Sequence, residues 1–413
     1  MPSAPLVRGR PTLGNRTAYW LVAYAIAVFG LGGTLPVALY PSYQSTFRLS
    51  PAAITIAAAI PTLGVILWVM FLGHVSDLIG RRPVMLFGVA VSGLGLTSML
   101  LAHGLPLLVL GRGLYGVSAA ALAGPGTAAM TELAPEGDTA RAASHAVTAQ
   151  VVGYALGPLI GGIFVQYGPW PLRLAYVAGL LLLLPAFAGV LLMRETMTDR
   201  RPLQIRLQRL ALPRHGVLTF ALASLIAVCV FSTMSFFQSI GSTVVVRVVH
   251  IGNHALAALA VFCFLGTSAA AQTGLRRVPT RLATLSGLLL LPLGAGFLIA
   301  ALFTRSLPLF IVGGSIGGLG QALAWIGGQA LVERVAPPDQ RGEVFSLYMV
   351  VGWTTGSLAA LAGGLTANHW GLKTAAIAYA IVTGGLSLAM SGIAARSATN
   401  APPLEHELPA AVL

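Results

Sequence analysis

Charged side chains are scarce in this sequence. Asp, Glu, Lys and Arg supply 8% of its 413 residues, while 56% are hydrophobic. A soluble domain carries about 25% charged residues, so lipid rather than water is the solvent for most of the chain. Cysteine is nearly absent: Cys229 and Cys263 both lie in apolar runs. Two such thiols form no disulfide framework and match no metal-ligand spacing; they read as small apolar packing residues. The sequence has no phosphate-binding P-loop, no His-Glu-x-x-His and no Gly-x-Ser-x-Gly. Gly313-Gly314 and Gly317-Gly318 sit inside an apolar run and read as packing surfaces. Only Glu132 with His145 approaches the cluster an enzyme needs, so neither an enzyme nor a resident cofactor is expected. Net charge is +13, but the cations do not cluster on amphipathic or aromatic-interleaved segments, which argues against a nucleic-acid partner.

What is present is a series of long runs free of formal charge: 17–47, 49–76, 83–111, 113–131, 142–172, 174–193, 215–246, 248–275, 282–304, 306–332, 344–372 and 374–395. About 20 apolar residues cross a bilayer as a helix, and lipid leaves the backbone no other partner for its N–H and C=O groups. The alternation expected of a barrel is absent. Twelve spans put both termini on one side. With the tails and even-numbered connections on that side, it receives 18 of the 24 cations; the other six are Arg48, Arg112, Arg173, Arg247, Arg305 and Lys373. The positive-inside rule then places both termini in the cytoplasm. The first run is longer than a signal-peptide core and is expected to be a retained span.

The longest polar connection, 194–214, carries six arginines and divides the spans six and six. Glu132, Pro135, Arg141, Gly161-Gly162 and Trp170 recur in order as Glu333, Pro337, Arg341, Gly363-Gly364 and Trp370. An internal repeat at an offset near 200 is a feature of secondary-transporter folds. The expected organisation is a tail over 1–16, a six-helix bundle over 17–193, a basic cytoplasmic linker over 194–215, a second bundle over 216–395 and a cytoplasmic tail over 396–413.

The turn after span 2 reads Gly73-His-Val-Ser-Asp77-Leu-Ile-Gly80-Arg81-Arg82-Pro83. Six plus six spans with this turn resemble the major facilitator superfamily. The resemblance covers nearly the whole chain. It implies an all-α integral membrane protein of twelve transmembrane helices, in two bundles related by a pseudo-two-fold axis, in a bacterial inner membrane and monomeric. It further implies alternating access for a small-molecule substrate. Carried over, Asp77 faces the N-terminus of helix 11 near Gly342 and locks the cytoplasmic gate, with Gly73, Gly80, Arg81 and Arg82 completing the motif. Leu78 stands where the family usually has a cation. The second-half turn, Gly274 to Arg281, keeps basic charge but has no acid.

Span 4 carries Leu110-Gly-Arg112-Gly-Leu-Tyr-Gly116, similar to the family's motif B. Arg112 is read as a substrate or coupling residue, with an interfacial anchor as the alternative. Span 5 carries Gly153-Tyr-Ala-Leu-Gly157-Pro158-Leu-Ile-Gly161-Gly162, resembling motif C, a signature found chiefly in drug–proton antiporters. Ser144 replaces the upstream glycine of the fuller pattern. Small residues at this spacing let two helices pack closely. None of the eleven acids is clearly at mid-membrane. Glu132 is the least exposed, and His145 could pair with it across the 4–5 loop as a coupling group; an ion pair of Glu132 with Arg141 is the structural alternative. The family's cavity is lined by helices 1, 4, 7 and 10. This makes Trp20, Tyr24, Tyr115, Ser232, Ser235, Gln238, Gln321, Trp325 and Gln329 the cavity candidates, Trp20 alternatively being an interfacial anchor. The expected function is proton-coupled efflux of a small organic compound. The alternative is an uncoupled or import permease for a neutral or anionic metabolite such as a sugar; a non-transporting membrane enzyme or scaffold is the remoter one.

Overall fold

The structure is a computed structural model and describes residues 13–197 and 210–399. Expectations for 1–12, 198–209 and 400–413 lie outside the described residues. Every regular element among the described residues is helical. Twelve helices are long and apolar enough to cross a membrane: α1 Asn15–Thr46, α2 Pro51–Leu72, α3 Arg81–Leu100, α4 Leu105–Glu132, α5 Thr139–Tyr167, α6 Leu174–Leu192, α7 Val217–Arg247, α8 His254–Gly274, α9 Thr280–Thr304, α10 Leu307–Val335, α11 Arg341–Trp370 and α12 Leu372–Arg396. The expected span count and all-α membrane class hold.

Capping side chains also set boundaries. Ser50, Asp138, Asn253 and Ser306 accept from backbone N–H groups in the first turns of α2, α5, α8 and α10, each cap contributing about 0.5–2 kcal/mol. One charge-based boundary needs correction. The turn between α3 and α4 falls at 101–104, where Gly104 is extended and Pro106 follows in the first turn of α4. Arg112 is therefore inside α4 and belongs to no connection.

Both halves pack alike. Helices α1, α2 and α3 contact α5, α4 and α4; their counterparts α7, α8 and α9 contact α11, α10 and α10. The halves meet where α5 lies on α8 and α2 on α11, two contacts exchanged by the repeat. Helix α1 tightens to 3₁₀ over Leu35–Leu39 and α7 widens to a π turn over Phe237–Gly241. These irregular segments start 202 residues apart, as Gly162 and Gly364 do. In α1 the cause is local. Pro41 has no N–H to offer the Val37 carbonyl four residues back, and the Ser242 hydroxyl of the other half donates to that carbonyl at 2.6 Å.

Candidate transport cavity and gating turn

A cavity of about 170 Å³ lies between the halves, partway along the helices, lined from α1, α2, α4, α5, α7 and α11. Arg112 is its one charged lining residue and is 5% exposed. Its Nε donates to the Ala57 carbonyl at 3.2 Å and Nη1 to the Gly33 carbonyl at 2.5 Å. These contacts bind α4 to α2 and α1, and they turn the guanidinium into the protein interior. Tyr115 also lines the cavity; its hydroxyl donates to the Phe29 carbonyl, and its ring stacks on Phe29 at 5.7 Å. The stack needs room beside α1. A Cβ at Gly33 would stand 3.1 Å from the Tyr115 ring. On the second half, Gln238 and Ser235 line the cavity, and the Ser235 hydroxyl donates to the Gly356 carbonyl at 2.7 Å. Gln238 is carried in the π turn of α7; such turns often mark functional sites.

The other cavity candidates turn elsewhere. The Tyr24 hydroxyl donates to the Leu182 carbonyl on α6 at 3.0 Å. Trp20 is 53% exposed and stacks on His145 at 5.6 Å. No lining residue comes from α10. Gln321 accepts from Ser268 of α8, Trp325 packs edge-on to Phe231 and stacks on Tyr348, and Gln329 is half-buried away from the lining. Ser232 is likewise outside the lining; its carbonyl accepts from Tyr379. The sequence reading missed the contributions of α2, α5 and α11, among them Tyr154, Trp353 and Ser357. Only the aromatic or hydroxyl character of these residues in otherwise apolar runs could have marked them.

The Gly73–Pro83 turn contains a short helix over Ser76–Ile79 and then Gly80 at φ 112°. Arg81 pairs with Asp77, reaches Glu132 at the end of α4 at 3.2 Å, and bonds Ser76 at 2.9 Å. Arg82 donates to the Leu191 carbonyl. Glu195, beyond α6, accepts from the backbone N–H groups of Arg81 at 2.8 Å and Arg82 at 3.2 Å. It thus places a carboxylate at the positive end of α3. A Cβ at Gly80 would stand 2.6 Å from the Glu195 carboxyl carbon. Glycine is required there by both the left-handed backbone and the space.

Three expectations are corrected here. Asp77 is 56% exposed and, among the described residues, pairs with Arg81 and not with α11. The site of a Cβ on Gly342 has nothing within 4 Å. Glu132 is held by Arg81 and Thr196, not by His145 or Arg141. His145 instead shares a hydrogen bond with the Tyr19 hydroxyl through Nδ1 at 2.7 Å, because its face of α5 packs against α1. Arg276 reaches across the halves at this end. Its Nη2 lies 3.2 Å from both the Ser144 carbonyl and the Thr148 hydroxyl, and Nη1 bonds the Ser144 hydroxyl.

The glycines of α5 form a seam. A Cβ at Gly153 would stand 2.9 Å from the Ala27 carbonyl carbon, at Gly157 2.9 Å from the Leu35 nitrogen, and at Gly161 2.6 Å from the Leu35 oxygen. All three face α1. Gly162 faces α8, with the His254 oxygen 2.9 Å away, and its repeat counterpart Gly364 faces Thr55 of α2. Pro158 is buried in this stretch.

A sequence profile of the Major Facilitator Superfamily matches residues 20–303 and 277–411. The chain belongs to the major facilitator superfamily. Among similar proteins is the Escherichia coli K12 inner membrane transport protein YnfM, 27% identical over 179 residues, 43% of this chain and 42% of YnfM. Another is MdtD of Salmonella typhimurium strain LT2, a protein named for multidrug resistance; it is 26% identical over 156 residues, 38% of this chain and 33% of MdtD. The alignments therefore span less than half of these relatives. A bacterial homologue of the human lysosomal transporter Spinster, solved inward-facing and unoccupied, superposes with a TM-score of 0.71 at 17% identity, covering 96% of this chain and 100% of that one. At that identity the likeness is one of fold. With twelve helices able to cross a membrane, the protein is a multi-pass membrane member of the superfamily.

Proposed function

We propose that this protein exports a small organic compound across the bacterial inner membrane in exchange for protons, with both termini in the cytoplasm. The rocking bodies are 17–193 and 216–395, joined by the basic linker. The observation that carries this reading is the cavity between the halves, backed on the face opposite the Gly73–Pro83 turn by close cross-half packing. That packing comprises Ser242 on Val37, Gly364 on Thr55 and Gly162 on α8. With the arginine-rich end in the cytoplasm, the seal is periplasmic; on the cytoplasmic side the Asp77 contact to α11 is released, while Arg276 still joins α8 to α5. The glycine seam of α5 and the multidrug-resistance name of MdtD support export; the YnfM name supports the inner membrane.

A second reading, uncoupled or inward permeation, is favoured by one feature: the cavity lining contains no Asp or Glu. Proteoliposomes separate the two. With an imposed pH gradient, antiport requires substrate flux to rise with the gradient and to carry protons the other way. Flux indifferent to the gradient removes proton coupling and leaves the permease.

A further inference from the structure

Arg112 holds a full positive charge within the span, and no acid stands beside it. The acids of the described chain lie in connections or within a turn of helix ends, so none can neutralise it. A guanidinium has five N–H donors. Ala57 and Gly33 take two of them, and the group also lines the cavity. On the second half, the Ser357 hydroxyl is buried at the same cavity with no hydrogen-bond partner. Buried polar groups are nearly always paired, so a guanidinium without a counter-ion and an unpaired hydroxyl in one cavity give a ligand two polar anchors, one on each half. The walls between them are aromatic, Tyr115 and Tyr154 from the first half and Phe231 and Trp353 from the second.

We infer that the cavity takes an organic anion, a carboxylate on a flat apolar body. The carboxylate meets the free N–H groups of Arg112, the body lies among these rings, and Ser357 supplies a further polar contact. The inference rests on the transport reading above and names its substrate class. A planar guanidinium matches a carboxylate geometrically. A cationic substrate would face Arg112 with no carboxylate to receive it, and a neutral one would leave the charge in place. An anion bound in this way bridges the halves, as occlusion between rocking bodies requires.

The test is binding of 2-naphthoate, 2-naphthamide and 2-naphthylmethylammonium to the purified full chain by calorimetry. The naphthoate is expected to bind in preference to the other two. Its affinity should fall about tenfold or more in Arg112→Gln and several-fold in Ser357→Ala, in line with loss of charge-assisted hydrogen bonds. Should Arg112→Gln fail to fold, Arg112→Lys together with Ser357→Ala, which breaks no hydrogen bond in the protein, must lower the affinity. Equal binding of the amide or ammonium, wild-type affinity in the variants, or the same heat from chloride alone would each overturn the inference. Substrate flux of other compounds without naphthoate binding overturns it too while leaving the transport reading intact. Naphthoate binding with the expected dependence but no flux of any compound keeps the site and removes the transport reading.

Discussion

Gly80 occupies a position where one residue type serves three neighbours. Its φ of 112° turns the chain into α3, and the space beside it is filled by the Glu195 carboxylate that caps that helix. Gly80→Ala must displace Glu195 and strain the backbone, so it should cost more than about 1 kcal/mol and lower Tm; a scan unchanged from wild type would refute the account. Asp77 is a different case. It is exposed, and its pair with Arg81 contributes little to stability in water. Asp77→Asn should therefore insert into the membrane at wild-type levels and yet abolish transport, if Asp77 engages α11 in the alternate state. Immunoblots of membranes beside flux assays check this, and unchanged flux would sink the gating role. Asp77, Arg81 and Arg82 were legible as an island of charge. Glu195 was not, because its partners are backbone N–H groups 113 and 114 residues away.

Helix α5 is constrained on two sides, since its glycines touch α1 along one face and α8 on the next. The spacing announced a packing seam; it did not say which neighbours would fill it. Gly157→Val should push α5 away from α1, at about 1–3 kcal/mol for overpacking, and be read out as a lower Tm. The break in α1 leads to a prediction of another kind. Ser242→Ala removes the donor that serves the Val37 carbonyl, leaving an acceptor unpaired in the seam at about 1–3 kcal/mol. Because that bond joins the halves only when this face is closed, the variant should populate a state open there. Spin-label distances between the ends of α1 and α7 would lengthen; an unchanged distribution rejects the assignment.

At the scale of the whole molecule, the repeat produces two equivalent seams whose turns are used differently. The first-half turn folds back on its own half through Arg81 and Glu132, whereas the second-half turn sends Arg276 across to Ser144 and Thr148. The basic copy without an acid thus engages the other half in this conformation. Arg276→Gln should loosen α5 from α8 at the basic end. Spin labels on Arg141→Cys and Arg277→Cys would show a broader, longer distance distribution, while the same distribution as the labelled parent would exclude a latch.

The sequence by itself determined what is one-dimensional here. Charge-free runs mark where lipid replaces water, arginine counts distinguish the two ends of the spans, and the recurrence of Gly161-Gly162 as Gly363-Gly364 reveals the repeat. Only the tertiary structure decided which side of each helix does what. In water a helix shows its buried face by contrast with its polar one; in lipid both faces are apolar, and that contrast is lost. Hence Trp20, Tyr24 and Gln321 seemed as good a cavity lining as Tyr115 and Gln238, until helix rotation and packing separated them. The same packing turned Arg112, an apparent break between two runs, into the single charge of a central cavity.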